Sequence, residues 1–170
     1  MTKHRTLAII VMLIGVCGLP TSVKAIKPTI AYFEAAESTL PSALTGCGFD
    51  VLVTPINSKL KTISFTDQEG NPRVILLNGP NIVLLTNQST RQSVVLNSSA
   101  PGKLLIETDT TFRALVEGTA ILILAPGAVP GFPQFAFTKG KLDMVVSPDF
   151  ITLQISDFHG VVQDICALLS

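Results

Sequence analysis

The 170-residue chain has no tryptophan, one tyrosine, two histidines and three cysteines, and charged side chains make up only 14% of it. Each shortage excludes some chemistry. With no tryptophan and its one tyrosine at Tyr32, outside the main strand-rich region, the chain lacks the aromatic platforms on which sugars stack. One histidine outside the extreme N-terminus, His159, cannot build a histidine-rich metal site. Lysine and arginine are not clustered, which argues against nucleic acid and anionic membrane surfaces as partners. No glycine-rich phosphate loop leads into a helix, so nucleotide chemistry is not expected. The charged fraction is far below the usual quarter or so of residues. A domain so poor in charge either buries most of its side chains or keeps an apolar surface that meets something.

What is present starts at the N-terminus. Lys3, His4 and Arg5 precede an almost unbroken apolar run from Leu7 to Val16, followed by Pro20 and the small-residue pattern Val23-Lys24-Ala25. This is the layout of a secretory signal peptide, residues 1–25, with cleavage after Ala25. The run is shorter than the roughly 20 apolar residues of a membrane-spanning helix, which disfavours an uncleaved anchor. Cys17 follows Val16 rather than a small residue, which disfavours a lipoprotein signal. Removing the segment takes three of the twelve basic side chains and leaves nine against twelve acidic ones, a net charge near −3. About 145 residues remain, enough for one domain with a core.

Cys47 and Cys166 are the cysteines left in the exported chain. Two thiols in an oxidising compartment are expected to pair. They are too far apart in sequence for a Cys-x-x-Cys redox motif and too few for a zinc site. A bridge closing so long a loop stabilises by about 4–5 kcal/mol in the chain-entropy model, and about 2–4 kcal/mol is more typical.

Residues 26–45 read as an N-terminal extension, docking as one or two helical turns around Glu34-Ala35-Ala36-Glu37 or acting as a linker. From residue 46 to 170, short β-rich runs alternate with turn chemistry. "FDVLVT", "KLKTISF", "RVILLN", "NIVLLT", "SVVLN" and "KLLIET" follow one another, and "RVILLN" and "NIVLLT" are continuous enough to suggest strands covered on both faces. "FRALVEG" and "TAILILA" read as separate strands. "KGK" reads as a turn between "QFAFT" and "LDMVVS", and His159 as a turn residue between "FITLQISDF" and "GVVQDICALL". The expectation is an all-β antiparallel sandwich, or a barrel-like closure, of nine to eleven strands. A parallel α/β sheet is excluded because no crossover helices are available.

Four stretches together resemble an uncharacterised family of small exported bacterial proteins, of actinobacterial type. These are the "CGFDVLV" opening, "LTNQSTRQSVVLN" (with Arg91 where glycine is usual), "ILAPGAVPGFPQFAFTKGKLDM" and the ending "GVVQDICALLS". The resemblance runs from about Cys47 to Leu169. It implies export, an all-β domain and paired end cysteines, and it brings no activity.

Catalytic candidates are sparse. Ser156, Asp157 or Asp164 and His159 could formally form a triad, but "SDFHG" lacks a glycine-flanked nucleophile elbow. Asp143, Asp149, Asp157 and Asp164 could converge on calcium, yet their spacing matches no calcium loop. Glu107, Asp109 and Glu117 could supply a glycosidase pair only with a geometry that sequence does not reveal. Asn87 and Asn97 head Asn-x-Ser sequons, glycan acceptors in a eukaryotic setting and ordinary polar turns in a bacterial one. The loop carrying Pro126, Gly127, Pro130, Phe132, Pro133 and Phe135 is the candidate binding surface, with a core-facing hairpin as the alternative. The functional expectation is a secreted, non-enzymatic binding or envelope-associated module. Its partner would be an unknown protein or envelope component, with no cofactor or metal, no nucleic acid, and no membrane span in the mature chain. A small extracellular hydrolase acting on carbohydrate or ester is the runner-up.

Overall fold

A computed structural model of the chain describes residues 27–107, 111–146 and 153–170. The expected signal peptide, Asp109 and Asp149 lie outside the described residues. Eleven strands and two one-turn helices follow in the order β1 (Thr29–Phe33), β2 (Ser38–Leu40), α1 (Ser42–Thr45), β3 (Val51–Ser58), β4 (Leu60–Thr66), β5 (Pro72–Asn78), β6 (Asn81–Asn87), β7 (Ser93–Asn97), β8 (Gly102–Ile106), β9 (Phe112–Ile123), β10 (Phe135–Val146), β11 (Leu153–Asp164) and α2 (Ile165–Leu168). All pairings are antiparallel. A seven-stranded sheet has the order β1-β4-β5-β8-β9-β10-β11, and a four-stranded sheet the order β2-β3-β6-β7. Among the described residues both sheets end in free edges, so the fold is a two-sheet sandwich rather than a closed barrel.

The extension read as helical turns or linker enters both sheets. Residues 29–33 pair with β4 and residues 38–40 with β3, and the one helical turn forms at Ser42–Thr45 instead of Glu34–Glu37. Thr29-Ile30-Ala31-Tyr32-Phe33 is rich in β-branched and aromatic residues, which suit a pleated strand, and a free edge of β4 was there to receive it.

The primary core forms between the sheets. Val51, Val83, Leu85 and Leu96 of the small sheet meet Phe135 of β10, while Ile165 and Leu169 close one end. Strict alternation places Val83, Leu85 and Asn87 of β6 inward and leaves Ile82, Leu84 and Thr86 half-exposed. β5 likewise keeps Leu77 exposed at 39%. Of the two runs expected to be covered on both faces, β6 is therefore covered on one, and β5 has no buried residue. The low charge of the chain is matched by apolar surface, not by deeper burial.

A second cluster lies on the opposite face of the large sheet, where Leu122, Ala136, Leu142, Met144 and Val146 are buried. The loop 125–133 folds over it. Val129 and Phe132 pack against the cluster, and Phe132 meets Phe158 edge-on with ring centroids 5.2 Å apart.

The largest departure from the sequence reading concerns three glycines. Gly118, Gly140 and Gly160 were each read at or beside a strand boundary, yet β9, β10 and β11 are continuous twelve-residue strands. The three glycines stand side by side, Gly118 opposite Gly140 and Gly140 opposite Gly160. Gly118 has φ 125° and Gly140 φ 149°. A Cβ on Gly140 would collide with the His159 carbonyl and lie 2.7 Å from the Gly160 Cα. Glycine here permits close approach of backbones, so these glycines lie inside continuous strands instead of ending them. His159 consequently sits in mid-strand, not in a turn.

The polar turn after β6 is organised by Asn87, which is buried to 1% exposure. Its side-chain oxygen accepts from the backbone N–H groups of Ser89 (2.8 Å) and Thr90 (3.2 Å). Its side-chain nitrogen donates to the Leu169 carbonyl at 3.0 Å. That nitrogen is committed, so Asn87 is not free to accept a glycan. Arg91 closes the turn at φ 65°, the only described non-glycine residue with positive φ. Left-handed backbone costs an L-residue about 1–2 kcal/mol, against about 0.4–1 kcal/mol of added unfolded-state entropy for glycine. Arg91→Gly should therefore stabilise by about 0.5–1 kcal/mol and raise the melting temperature by about 1–4 °C, measurable by thermal unfolding followed by circular dichroism. A lower melting temperature would show that the arginine side chain offsets the strain.

Candidate functional site: a groove on the large sheet

The disulfide expected from the two cysteines is formed. Cys47 and Cys166 are bonded with Cα atoms 5.0 Å apart. Cys47 lies between α1 and β3, and Cys166 in α2, which Asp164 caps by accepting from the Cys166 N–H at 2.8 Å. The bridge is structural and packs against the primary core.

The proposed binding loop divides into two parts. Pro126, Gly127 and Pro130 are exposed, but Phe132 and Pro133 are half-buried and Phe135 has no exposed surface. Phe135 belongs to β10 and to the core, so it cannot contact a partner. The core-facing alternative describes the aromatic residues, because the cluster beneath them would otherwise lie open to water.

The large sheet carries a groove of about 620 Å³ on the face opposite the Leu142–Met144 cluster. Its origin is visible in the strand register. One transverse row runs Ile30, Ile63, Leu76, Lys103, Leu115, Asp143 and Asp157 across seven strands. The adjacent row brings Glu117, Lys141 and His159 side by side. The small sheet covers this face near Phe135 and Phe137 and leaves the Lys141 end open. The groove therefore has an apolar floor of Ile63, Leu76 and Leu115, interrupted by Lys103 between the two leucines, with Pro101 also lining it and Lys141, Glu117 and Asp157 along the rim.

Arg113 and Asp143 join β9 to β10 at one end. The guanidinium donates through Nε to Asp143 Oδ1 at 2.9 Å and through the second nitrogen to Oδ2. This two-point contact holds the Asp143 carboxyl below the ordinary carboxylate range. Asp143 and Asp157 stand directly opposite each other, and Arg113 supplies the charge that offsets their repulsion.

The sequence-level catalytic candidates are partly gathered here. His159 Nε2 lies 3.3 Å from Asp157 Oδ1, with both side chains well exposed. Ser156 occupies the β-bulge of β11, and its hydroxyl donates to the Asp143 carbonyl at 3.1 Å. The serine is thus engaged with backbone, not with the imidazole, so the nucleophile–base contact of a triad is not made. Asp164 is the helix cap, and no group of three or more potential metal ligands occurs among the described residues. Glu117 is in the groove and Glu107 is not.

Of the groove residues, Glu117, Asp143 and Asp157 were singled out in the sequence, for glycosidase, calcium or triad chemistry, and the apolar and basic ones were not. The groove residues come from β4, β5, β8, β9, β10 and β11, and the only local hint was alternation within "KLLIET" and "FRALVEG", whose outward residues are mixed in polarity. Among the described residues, no helix is long and apolar enough to cross a membrane. Comparison with known proteins gives no match to any family model, curated protein or solved structure.

Proposed function

We propose that the protein is exported and works as a non-enzymatic binding module of the cell envelope or its surroundings, using the groove on its large sheet. The carrying observation is the combination of an apolar floor with a rim of both charge signs in about 620 Å³, a volume typical of small-molecule sites. Lys103, Arg113 and Lys141 balance Glu117, Asp143 and Asp157, so the site has no net preference for a cation or an anion. Such a lining suits an amphiphile with an apolar body and a zwitterionic or neutral polar head. The body would lie over Leu76 and Leu115, and the head would meet Lys141 and Glu117. Export is supported by the N-terminal signal pattern and is compatible with the disulfide.

Titrating the mature protein with a zwitterionic alkyl phosphocholine below its micellar concentration should shift the amide resonances of Leu76, Leu115 and Lys141. Leu115→Lys, on the open face, should weaken binding about tenfold, equivalent to about 1.4 kcal/mol, with the circular dichroism unchanged. Shifts confined to other regions, or unchanged affinity in the variant, would refute the groove as the binding site. The hydrolase would replace the binding module if the protein turned over an ester or glycoside and His159→Ala abolished that turnover without unfolding the chain.

A further inference from the structure

Of the chain's asparagines, only Asn78 is followed by a glycine. It is the last residue of β5, is exposed to water and lines the groove. The Gly79 N–H donates to the Asn78 side-chain oxygen at 2.8 Å. The carbonyl carbon is one bond away from that oxygen, so the backbone nitrogen is held close to the atom it would attack. A Cβ on Gly79 would collide with the Lys59 carbonyl, so the residue here is the one that leaves its nitrogen least shielded. The other asparagines lack this arrangement. Asn71 precedes Pro72, whose nitrogen carries no hydrogen. Asn81 is tied at its oxygen by Ser58 and at its nitrogen by Ser98, and Asn87 by Ser89 and the Leu169 carbonyl. Asn57 and Asn97 precede serine, and the Asn97 oxygen accepts from the Ser99 N–H instead.

We propose that Asn78 is a site of self-modification, converted to aspartate and isoaspartate by attack of the Gly79 nitrogen on its side-chain carbonyl carbon. The Gly79 nitrogen gives its proton to water and bonds to that carbon. The bond from the carbon to the side-chain NH2 breaks, and the NH2 takes up a proton and leaves as ammonia. One water then opens the cyclic imide. Opening at the side-chain carbonyl gives aspartate, and opening at the backbone carbonyl gives isoaspartate. The sum is one water consumed and one ammonia released, with no redox change. Lys61 stands directly opposite Asn78 on β4, so the new carboxylate gains an opposite charge within cross-strand reach. The groove, whose charges otherwise balance, becomes acidic. Isoaspartate also lengthens the backbone beside a turn in which the Lys59 N–H donates to the Pro80 carbonyl at 2.9 Å. The change runs one way and does not depend on what the groove binds.

The test holds the mature protein folded in mildly alkaline buffer for weeks and then cuts it with trypsin, which releases residues 74–91 as one peptide. Fragment masses distinguish Asn78 from Asn81 and Asn87 within it. Asn78 should convert about tenfold faster than Asn57 or Asn97, equivalent to a barrier lower by about 1.4 kcal/mol, and should yield both products. Asn78→Gln, whose longer side chain closes a less favourable ring, should stop the conversion and keep the melting temperature, because the position is exposed. A folded protein that keeps the Asn78 amide while the guanidinium-unfolded chain loses it overturns the proposal, since the turn then protects the site. Conversion no faster than at Asn57 or Asn97 overturns it too, and so does aspartate without isoaspartate, because the cyclic imide gives both.

Discussion

Gly140→Ala is expected to destabilise the protein by about 3–5 kcal/mol, or to prevent folding, through strain and overpacking together. The backbone at Gly140 has φ 149°, and an added Cβ would run into the His159 carbonyl with the Gly160 Cα 2.7 Å away. Neither obstacle is the movable end of a side chain. Both are backbone atoms of β11, held by the ladder that also aligns Lys141 with His159 and Asp143 with Asp157. Relief would require β10 and β11 to separate locally, which opens the Leu142 cluster and distorts the groove rim. Gly127→Ala is the control. Its φ is 69°, but nothing lies within 4 Å of an added Cβ, so its cost should stay near 1–2 kcal/mol from backbone strain alone. Urea unfolding midpoints of the two variants separate collision from strain. Equal losses would mean that the aligned glycines are not a close-approach row.

Removing the disulfide by Cys47→Ser with Cys166→Ser should lower stability by about 2–4 kcal/mol. The double variant avoids leaving one reactive thiol. Part of the loss is general, because the bridge spans 119 positions and restricts the unfolded chain. Another part should be local. α2 has only four residues, and its end is held by Ile165 and Leu169 in the core and by the Asn87 side chain on the Leu169 carbonyl. Hydrogen exchange at Leu169, whose amide bonds back to Ile165 and Cys166, should accelerate more than exchange in β9 or β10. If urea unfolding showed no loss of stability, the bridge would be a passenger rather than a clamp. Mass measurement of the unreduced wild type should find it two hydrogen atoms lighter than the reduced form, which checks the bond in the isolated protein.

The sequence by itself determined the class of the fold. Alternation in "FDVLVT", turn residues such as those around Gly70-Asn71-Pro72, and the lack of helical periodicity are local signals, and local backbone preference is enough to place β3, β4 and β5. The cysteine pair was legible from the expected compartment and from the number of cysteines, which leave few alternatives. The tertiary structure alone decided three things. It made Gly118, Gly140 and Gly160 into one aligned row across three strands, because whether a glycine ends a strand or lets two backbones close up depends on the neighbouring strand. It drew Thr29–Phe33 and Ser38–Leu40 into the sheets, because strand formation there depends on the edges of β4 and β3. It also assembled the groove, whose floor and rim come from residues separated by up to about a hundred positions and meet only through strand register. A face of a sheet belongs to no single segment of the chain, and register, which sets that face, is a property of paired strands.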